Sequence, residues 1–290
     1  MRLKARAKIN WTLDIIGRRP DGYHLMDMLM QPVSLADDII LQPAAEISLT
    51  TGGSPLLPAD EKHLALKAAY ALQRHTGSTS GAAIHVEKHI PVGAGMGGGS
   101  ADAAAVLIGL NKLWDCGLSQ DELEKIGLTL GADVPFCIRG GLTRTTGIGE
   151  IMENLPCGGF WPLVVIQPCE GLSTKEIFTA YHESAPISRP DNAAAAYALE
   201  TADSAALSAA MANVMQPVSE ARRPGIAQAI ERLKEQGAFA AQMTGSGSAV
   251  FGAFKDAAAA ESAFKALRGN WERTYLCTTC RESVIEDDEN

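Results

Sequence analysis

The chain has 290 residues, of which 46% are hydrophobic and 20% charged. That is enough for one large domain or, better, two, and it excludes a disordered chain or a small disulfide scaffold. Of the net charge of −9, Glu286, Asp287, Asp288 and Glu289 supply four, so the body is only mildly acidic and shows no clustered basic surface for nucleic acid.

No apolar run reaches the roughly 18 residues that would span a bilayer, which argues against a membrane partner. MRLKARAKIN lacks the apolar stretch of a secretory signal. The six cysteines therefore read as reduced thiols of a cytoplasmic protein. Cys277 and Cys280 form a lone CxxC without the further ligands a zinc site needs.

Residues 3–13 alternate strictly. Leu3, Ala5, Ala7, Ile9, Trp11 and Leu13 face a core, while Lys4, Arg6, Lys8, Asn10 and Thr12 form a basic and amide face, the pattern of a strand. Turn residues 17–22 follow, then a further extended run, HLMDMLMQPVSLADDIIL. The spacing predicts a helix over 60–75 ending before Gly77, a strand over 83–88 and a helix over 100–114 capped by Ser100. Another helix begins at Ser119, which makes an S-x-x-E capping box with Glu122. Beyond a boundary near 147–159 come a strand at 163–167 and a helix opened by Ser173. Alanine-rich helical stretches follow over 192–215 and 219–236, then strand, TGSGS turn, strand, helix and strand to residue 280. This order is a split βαβ arrangement. The expected fold is α+β with two domains, 1–150 and 151–290, and the acidic tail is expected to be solvated and frayed.

Three runs carry chemistry. Between Pro91 and Ser100, five of the seven residues Gly93, Ala94, Gly95, Met96, Gly97, Gly98 and Gly99 are glycine, and the run enters an amphipathic helix. Glycines bring backbone amides close to a ligand, and a helix N-terminus favours an anion, so a phosphate cradle is preferred to a flexible linker. GxxxxGK[ST] is absent, and although Gly93, Gly95 and Gly98 fit GxGxxG, no second strand follows the helix as a dinucleotide fold requires. Asp133 in GADVPF reads either as a turn or cap residue or as a carboxylate that accepts a proton from a hydroxyl nucleophile. Lys8 is either a solvated edge-strand lysine or the partner that keeps such a carboxylate ionised. Thr244-Gly245-Ser246-Gly247-Ser248 reads as a hairpin turn with room for another loop to approach. Tyr23 and His24 are structural, or they stack on and hydrogen-bond a base.

Taken together, AKIN (7–10), PVGAGMGGGSADAA (91–104) and MTGSGSAVFG (243–252) resemble the three motifs of the GHMP kinase superfamily, over nearly the whole chain. GRRPDGYH (17–24) and GADVPFCIRGG (131–141) look like the branch that phosphorylates the tertiary 2-hydroxyl of a cytidylylated methylerythritol, in the non-mevalonate isoprenoid pathway. The resemblance implies an active site between two domains and ATP as donor, held by residues 91–101 from Pro91 and Val92 through Ala101. It implies Mg²⁺ near Ser100, Asp133 as general base and Lys8 as its charged partner. Asn10 would contact the erythritol end of the substrate, Tyr23 and His24 the cytosine, and Phe178 the other face of that base. Thr174 is a further substrate candidate, and Gly245, Ser246 and Gly247 would buttress the phosphate loop. Arg6, Met96 and Ala101 depart from the family's usual proline, leucine and serine. A homoserine, mevalonate or galactose type of kinase, a dehydrogenase and a noncatalytic nucleotide-binding module are the competing readings.

Overall fold

The computed structural model describes residues 1–54, 60–181 and 188–287. The alternating run becomes β1 (Arg2–Arg18), with its odd positions from Leu3 to Ile15 buried, and β2 (His24–Ala44) returns antiparallel beside it. From Lys8 to Asp14 the even positions are buried as well, because the second half of the chain packs over this face. Gln242 Nε2 donates to the carbonyls of Asn10 (3.1 Å) and Trp11 (2.9 Å), and the Asn10 amide donates to Thr244 Oγ1 (3.0 Å). Lys8 thus lies on an interior strand and is not a solvated edge lysine.

β3 (Ser48–Gly52), α1 (Leu64–Thr76) and β4 (Gly81–Glu87) form a parallel crossover beside β2. α1 begins later than its spacing suggests, since His63 caps it by accepting from the Ala65 amide, and Gly77 closes it in the left-handed conformation. α2 (Gly98–Leu113), α3 (Gln120–Leu128) and α4 (Val134–Arg139) complete the helical layer, with the Ser119–Glu122 capping box in place. β5 (Leu142–Gly147) and β6 (Ile151–Leu155) add a hairpin to the early part of β2, so the first sheet continues past residue 150.

β7 (Pro162–Ile166) opens the second sheet. α5 (Thr174–Ala180), α6 (Asn192–Thr201), α7 (Ser204–Ala210), α8 (Gln216–Arg222) and α9 (Gly225–Glu235) follow it. The two alanine-rich stretches are therefore four helices. Asp203 recaps the chain after Ala202, and the prolines at 217 and 224 lack the amide a helix interior needs. β8 (Ala240–Met243), β9 (Val250–Ala253), α10 (Ala257–Leu267) and β10 (Thr274–Thr278) close the unit. Its antiparallel order, β10-β7-β9-β8, is that of the split βαβ fold.

The chain then returns to the first sheet as β11 (Val284–Glu286), paired with β1. Glu286 is consequently not frayed: it accepts from Lys112 Nζ at 3.0 Å, and Asp287 lies 3.5 Å from Lys4 Nζ. Asp288 and Glu289 lie outside the described residues. Burial pushes the thiols of Cys277 and Cys280 up to about 12 and about 11, so both stay protonated at neutral pH.

The helical layer packs tightly on the first sheet at Gly109, where a Cβ would fall 2.3 Å from Leu41 Cδ1 and 2.7 Å from Leu3 Cδ1. Gly109→Leu overpacks this contact and should lower the unfolding free energy by about 1–3 kcal/mol in urea titrations.

Candidate active site

The glycine run forms one wall of a cleft of about 490 Å³ that is also lined by β1, the start of β2, α5 and the 245–247 turn. Its backbone is sorted by polarity. The carbonyls of Val92, Ala94, Gly95, Met96 and Gly97 accept from Gln167 Nε2, the Ala249 amide, Lys8 Nζ, the Lys8 amide and the Ala101 amide, respectively. Among the described residues, no protein group accepts from the amides of 93–100. Carbonyls held by protein and amides left open make an anion cradle. The helix cap contributes to this. α2 starts at Gly98 with Gly97 (φ 72°) as its cap and no side-chain cap bond, so Ser100 sits in the first turn and is not the cap expected. A capping hydroxyl would have taken one of the open donors.

Gly95 also makes the closest approach in the site. At φ 78° its Cβ would fall 2.4 Å from the Thr244 carbonyl oxygen, while a Cβ on Gly245 would fall 2.7 Å from the Gly95 carbonyl oxygen. The TGSGS turn and the phosphate loop are therefore in backbone-to-backbone contact.

Lys8 Nζ donates to Asn10 Oδ1 and to the Gly95 carbonyl, both at 2.8 Å, and lies 3.7 Å from Asp133 Oδ2. The Lys8 side chain is 5% exposed and that of Asp133 is 35% exposed, so the carboxylate opens onto the cleft. Asp133 does occupy the cap position of α4, yet its side chain makes no capping bond. Asn10 Oδ1 is crowded: besides Lys8 it accepts from the Gly245 amide (3.1 Å) and Thr244 Oγ1 (3.4 Å), while Nδ2 meets Met28 Sδ at 3.5 Å.

Thr174 and Phe178 of α5 line the cleft, together with Gly245, Ser246 and Gly247, and Thr174 Oγ1 lies 2.9 Å from Ser246 Oγ. Phe178 stacks directly on His24 with centroids 5.0 Å apart and planes at 27°. No base fits between those two rings at that spacing, so Phe178 does not stand across a gap from His24 as expected. Tyr23 is 61% exposed and outside the cleft lining.

Sequence reasoning missed a second charged group. Lys88, just after β4, pairs with Asp37 of β2 and with Asp102 of α2 (2.7 Å), all three buried. Asp37 Oδ1 also accepts from the amides of His89 (2.6 Å) and Ile90 (2.8 Å), so the cluster fixes both stems of the phosphate loop. Its signal was available: Asp102 shares a helical stripe with Val106 and Leu110, where an acid needs a buried partner. Burial pushes Asp102 up to about 8, with Asp37 adding to the rise and Lys88 opposing it; Lys88 itself is held above its usual range by the two carboxylates. The apolar lining from Met26, Met28 and Met215 carried no sequence signal of its own.

Comparison with known proteins agrees with this architecture. Residues 63–141 match the family model described as GHMP kinases N terminal domain, and residues 195–273 match GHMP kinases C terminal. A homoserine kinase from Cytophaga hutchinsonii shares the fold, with a TM-score of 0.76 at 17% identity over 98% of this chain and 96% of that one. The curated 4-diphosphocytidyl-2-C-methyl-D-erythritol kinase of Alkaliphilus oremlandii is 39% identical over 96% of this chain and 96% of its own length. That of Symbiobacterium thermophilum is 43% identical over 88% and 91%. A crystal structure of 4-(cytidine 5'-diphospho)-2C-methyl-D-erythritol kinase superposes with a TM-score of 0.83 at 32% identity, covering 96% of this chain and 99% of that chain. The chain belongs to the 4-diphosphocytidyl-2-C-methyl-D-erythritol kinase family of the GHMP kinases.

The buried cluster yields a pH prediction. With Asp102 near 8 in the native state and near 4 unfolded, the folded protein holds a proton that the unfolded chain releases, so this stability is present at low pH and lost as pH rises through about 8. The difference in unfolding free energy between wild type and Asp102→Asn should therefore fall from pH 4 to pH 8 in denaturant titrations. A flat difference across that window would show that Asp102 ionises normally.

Proposed function

We propose that this protein transfers the γ-phosphoryl group of ATP to the 2-hydroxyl of 4-diphosphocytidyl-2-C-methyl-D-erythritol. The observation that carries the reading is the Lys8 amine, shared between Asn10 and the phosphate-loop carbonyl of Gly95, with the half-open Asp133 carboxylate 3.7 Å away. A buried ammonium beside the loop neutralises charge on the phosphoryl group in transfer. The hydroxyl oxygen bonds to the γ-phosphorus as the bond to the β–γ bridging oxygen breaks, ADP leaves, and the hydroxyl proton passes to Asp133. A tertiary alcohol is crowded and weakly acidic, so its orientation matters at least as much as removal of its proton.

The open amides of 93–100 bind the polyphosphate, and the 244–247 turn limits how far the loop can retreat. Because Asn10 Oδ1 is already committed to three donors, its role is to hold Lys8 and the turn, leaving the substrate to its amide edge. The cytosine docks against the stacked His24–Phe178 pair, with the exposed Tyr23 ring covering it. Thr174 meets the polyol. Ser100, in the first turn of α2 at the cleft, is the loop side chain that would sit near Mg²⁺, an ion that keeps most of its waters and binds chiefly through the nucleotide's phosphates. Bound there, the ion would supply neutralisation of phosphate charge. Among the described residues no helix is long and apolar enough to cross a membrane, in keeping with a cytoplasmic enzyme acting on soluble substrates.

The decisive assay incubates the protein with ATP, Mg²⁺ and the cytidylyl substrate and follows ADP and the 2-phosphorylated product. Substrate-dependent ADP release is expected; ATP binding without turnover would send the search to homoserine, mevalonate and sugar acceptors. Asp133→Asn should lower kcat by about 10²–10⁴-fold with ATP affinity retained. Lys8→Ala should match that loss in kcat and also weaken ATP, because the Gly95 carbonyl loses its donor. Near-normal turnover in either variant removes that residue from the mechanism. His24→Ala and Phe178→Ala should chiefly raise KM for the cytidylyl substrate, and an unchanged KM would move the base elsewhere.

A further inference from the structure

The 244–247 turn is held from behind by a segment outside the proposed chemistry. Asn213 lies between α7 and α8 and is buried. Its neighbours join β1: the Leu13 amide donates to the Ala212 carbonyl, and the Val214 amide donates to the Leu13 carbonyl, each at 3.0 Å. Its side chain reaches the turn. Asn213 Nδ2 donates to the carbonyls of Met243 and Gly245, both at 2.9 Å, and Oδ1 accepts from the Met215 amide at 3.0 Å. Both amide hydrogens and the side-chain oxygen are thus in use. Gln216 Oε1 accepts from the Met243 amide (3.0 Å), and Ser219 Oγ donates to the Ser246 carbonyl (3.1 Å).

The front of the same turn meets the reaction machinery. The Gly245 amide donates to Asn10 Oδ1, and Gly245 lies against Gly95, whose carbonyl accepts from Lys8. With no room for a methyl group between Gly245 and Gly95, any displacement of the turn passes to the loop without slack.

We propose that Asn213 is a positioning residue for phosphoryl transfer. Acting through the 244–247 turn and Gly95, it keeps the phosphate loop and the Lys8 amine in register, with Gln216 and Ser219 assisting. The inference rests on the phosphoryl-transfer reading for its effect on turnover, whereas its effect on ATP binding can be measured without the acceptor alcohol.

The test uses the full chain and reads ATP affinity by calorimetry, kcat and KM for each substrate, and Tm. Asn213→Ala should weaken ATP binding and lower kcat by about tenfold or more each, as expected when reacting groups are slightly misplaced. Ile230→Ala, a core truncation in α9, serves as a stability control and should leave both quantities within twofold while lowering Tm at least as much. If Asn213→Ala does not fold, Ser219→Ala and Gln216→Ala each remove one bond to the turn, and losses of about threefold to fivefold are expected. Folded variants within twofold of wild type in both readouts overturn the proposal, and so do losses equalled by Ile230→Ala. Loss of ATP affinity in Asn213→Ala, in a protein that proves inactive on the cytidylyl alcohol, would sustain the positioning role and sink only the substrate.

Discussion

Backbone meets backbone where Gly95 packs on Gly245, and the position of the loop carbonyl that holds the Lys8 amine follows from that contact. The two glycines come from different sheets' connections, and each occupies a positive φ that also excludes a side chain. A second pair repeats the device at the other end of the loop: a Cβ on Gly171 would fall 2.7 Å from the Gly93 carbonyl oxygen. Contacts made through side chains can adjust by rotamer changes, whereas main chain against main chain cannot. Between the two pairs the loop has one path across the cleft, and the carbonyl that Lys8 needs lies on it.

That path also decides which backbone groups face the ligand. Each carbonyl from 92 to 97 except that of Gly93 has a protein donor among the described hydrogen bonds, and these donors come from β1, from α2, from the residue preceding β9 and from Gln167 just after β7. Turning carbonyls toward protein leaves amides for the anion, and α2 adds its own N-terminal donors because its cap is glycine. The cradle is therefore a consequence of where the rest of the fold places donors, more than of glycine content alone.

Much of this was legible in the sequence, and the exceptions share a cause. β1 was readable because its alternation is local, the Ser119 cap because both partners lie within four residues, and the glycine loop because its composition admits few other uses. Ser100 was misjudged as a cap because a glycine three residues earlier could do the same job with a positive φ, which composition does not announce. The alanine-rich stretches concealed four helices, since alanine spacing is indifferent to Asp203, Pro217 and Pro224 until their amides are counted. Asn213 and Gln242 were silent for another reason: their partners are distant in sequence, and a single Asn in a connection looks like a turn residue, whereas Asp102 on the apolar stripe of α2 did signal a buried partner. Glu286 seemed part of a frayed tail because its pairing strand is the first of the chain.

The two buried lysines show how geometry separates chemistry from scaffolding. Lys8 and Lys88 are nearly equally buried and each lies beside a carboxylate, so side-chain type and burial do not distinguish them. Their carboxylates do. Asp37 and Asp102 are fully enclosed, two acids to one ammonium, and burial pushes the Asp102 carboxyl up to about 8. A proton acceptor for catalysis needs the opposite: an ionised oxygen with a free side toward the substrate and a route for the proton to leave. Asp133 is placed differently: it lies 3.7 Å from Lys8, makes no cap bond, and opens onto the cleft. One cluster therefore fixes the loop's stems from the interior, and the other presents a carboxylate to the cleft beside the loop so fixed.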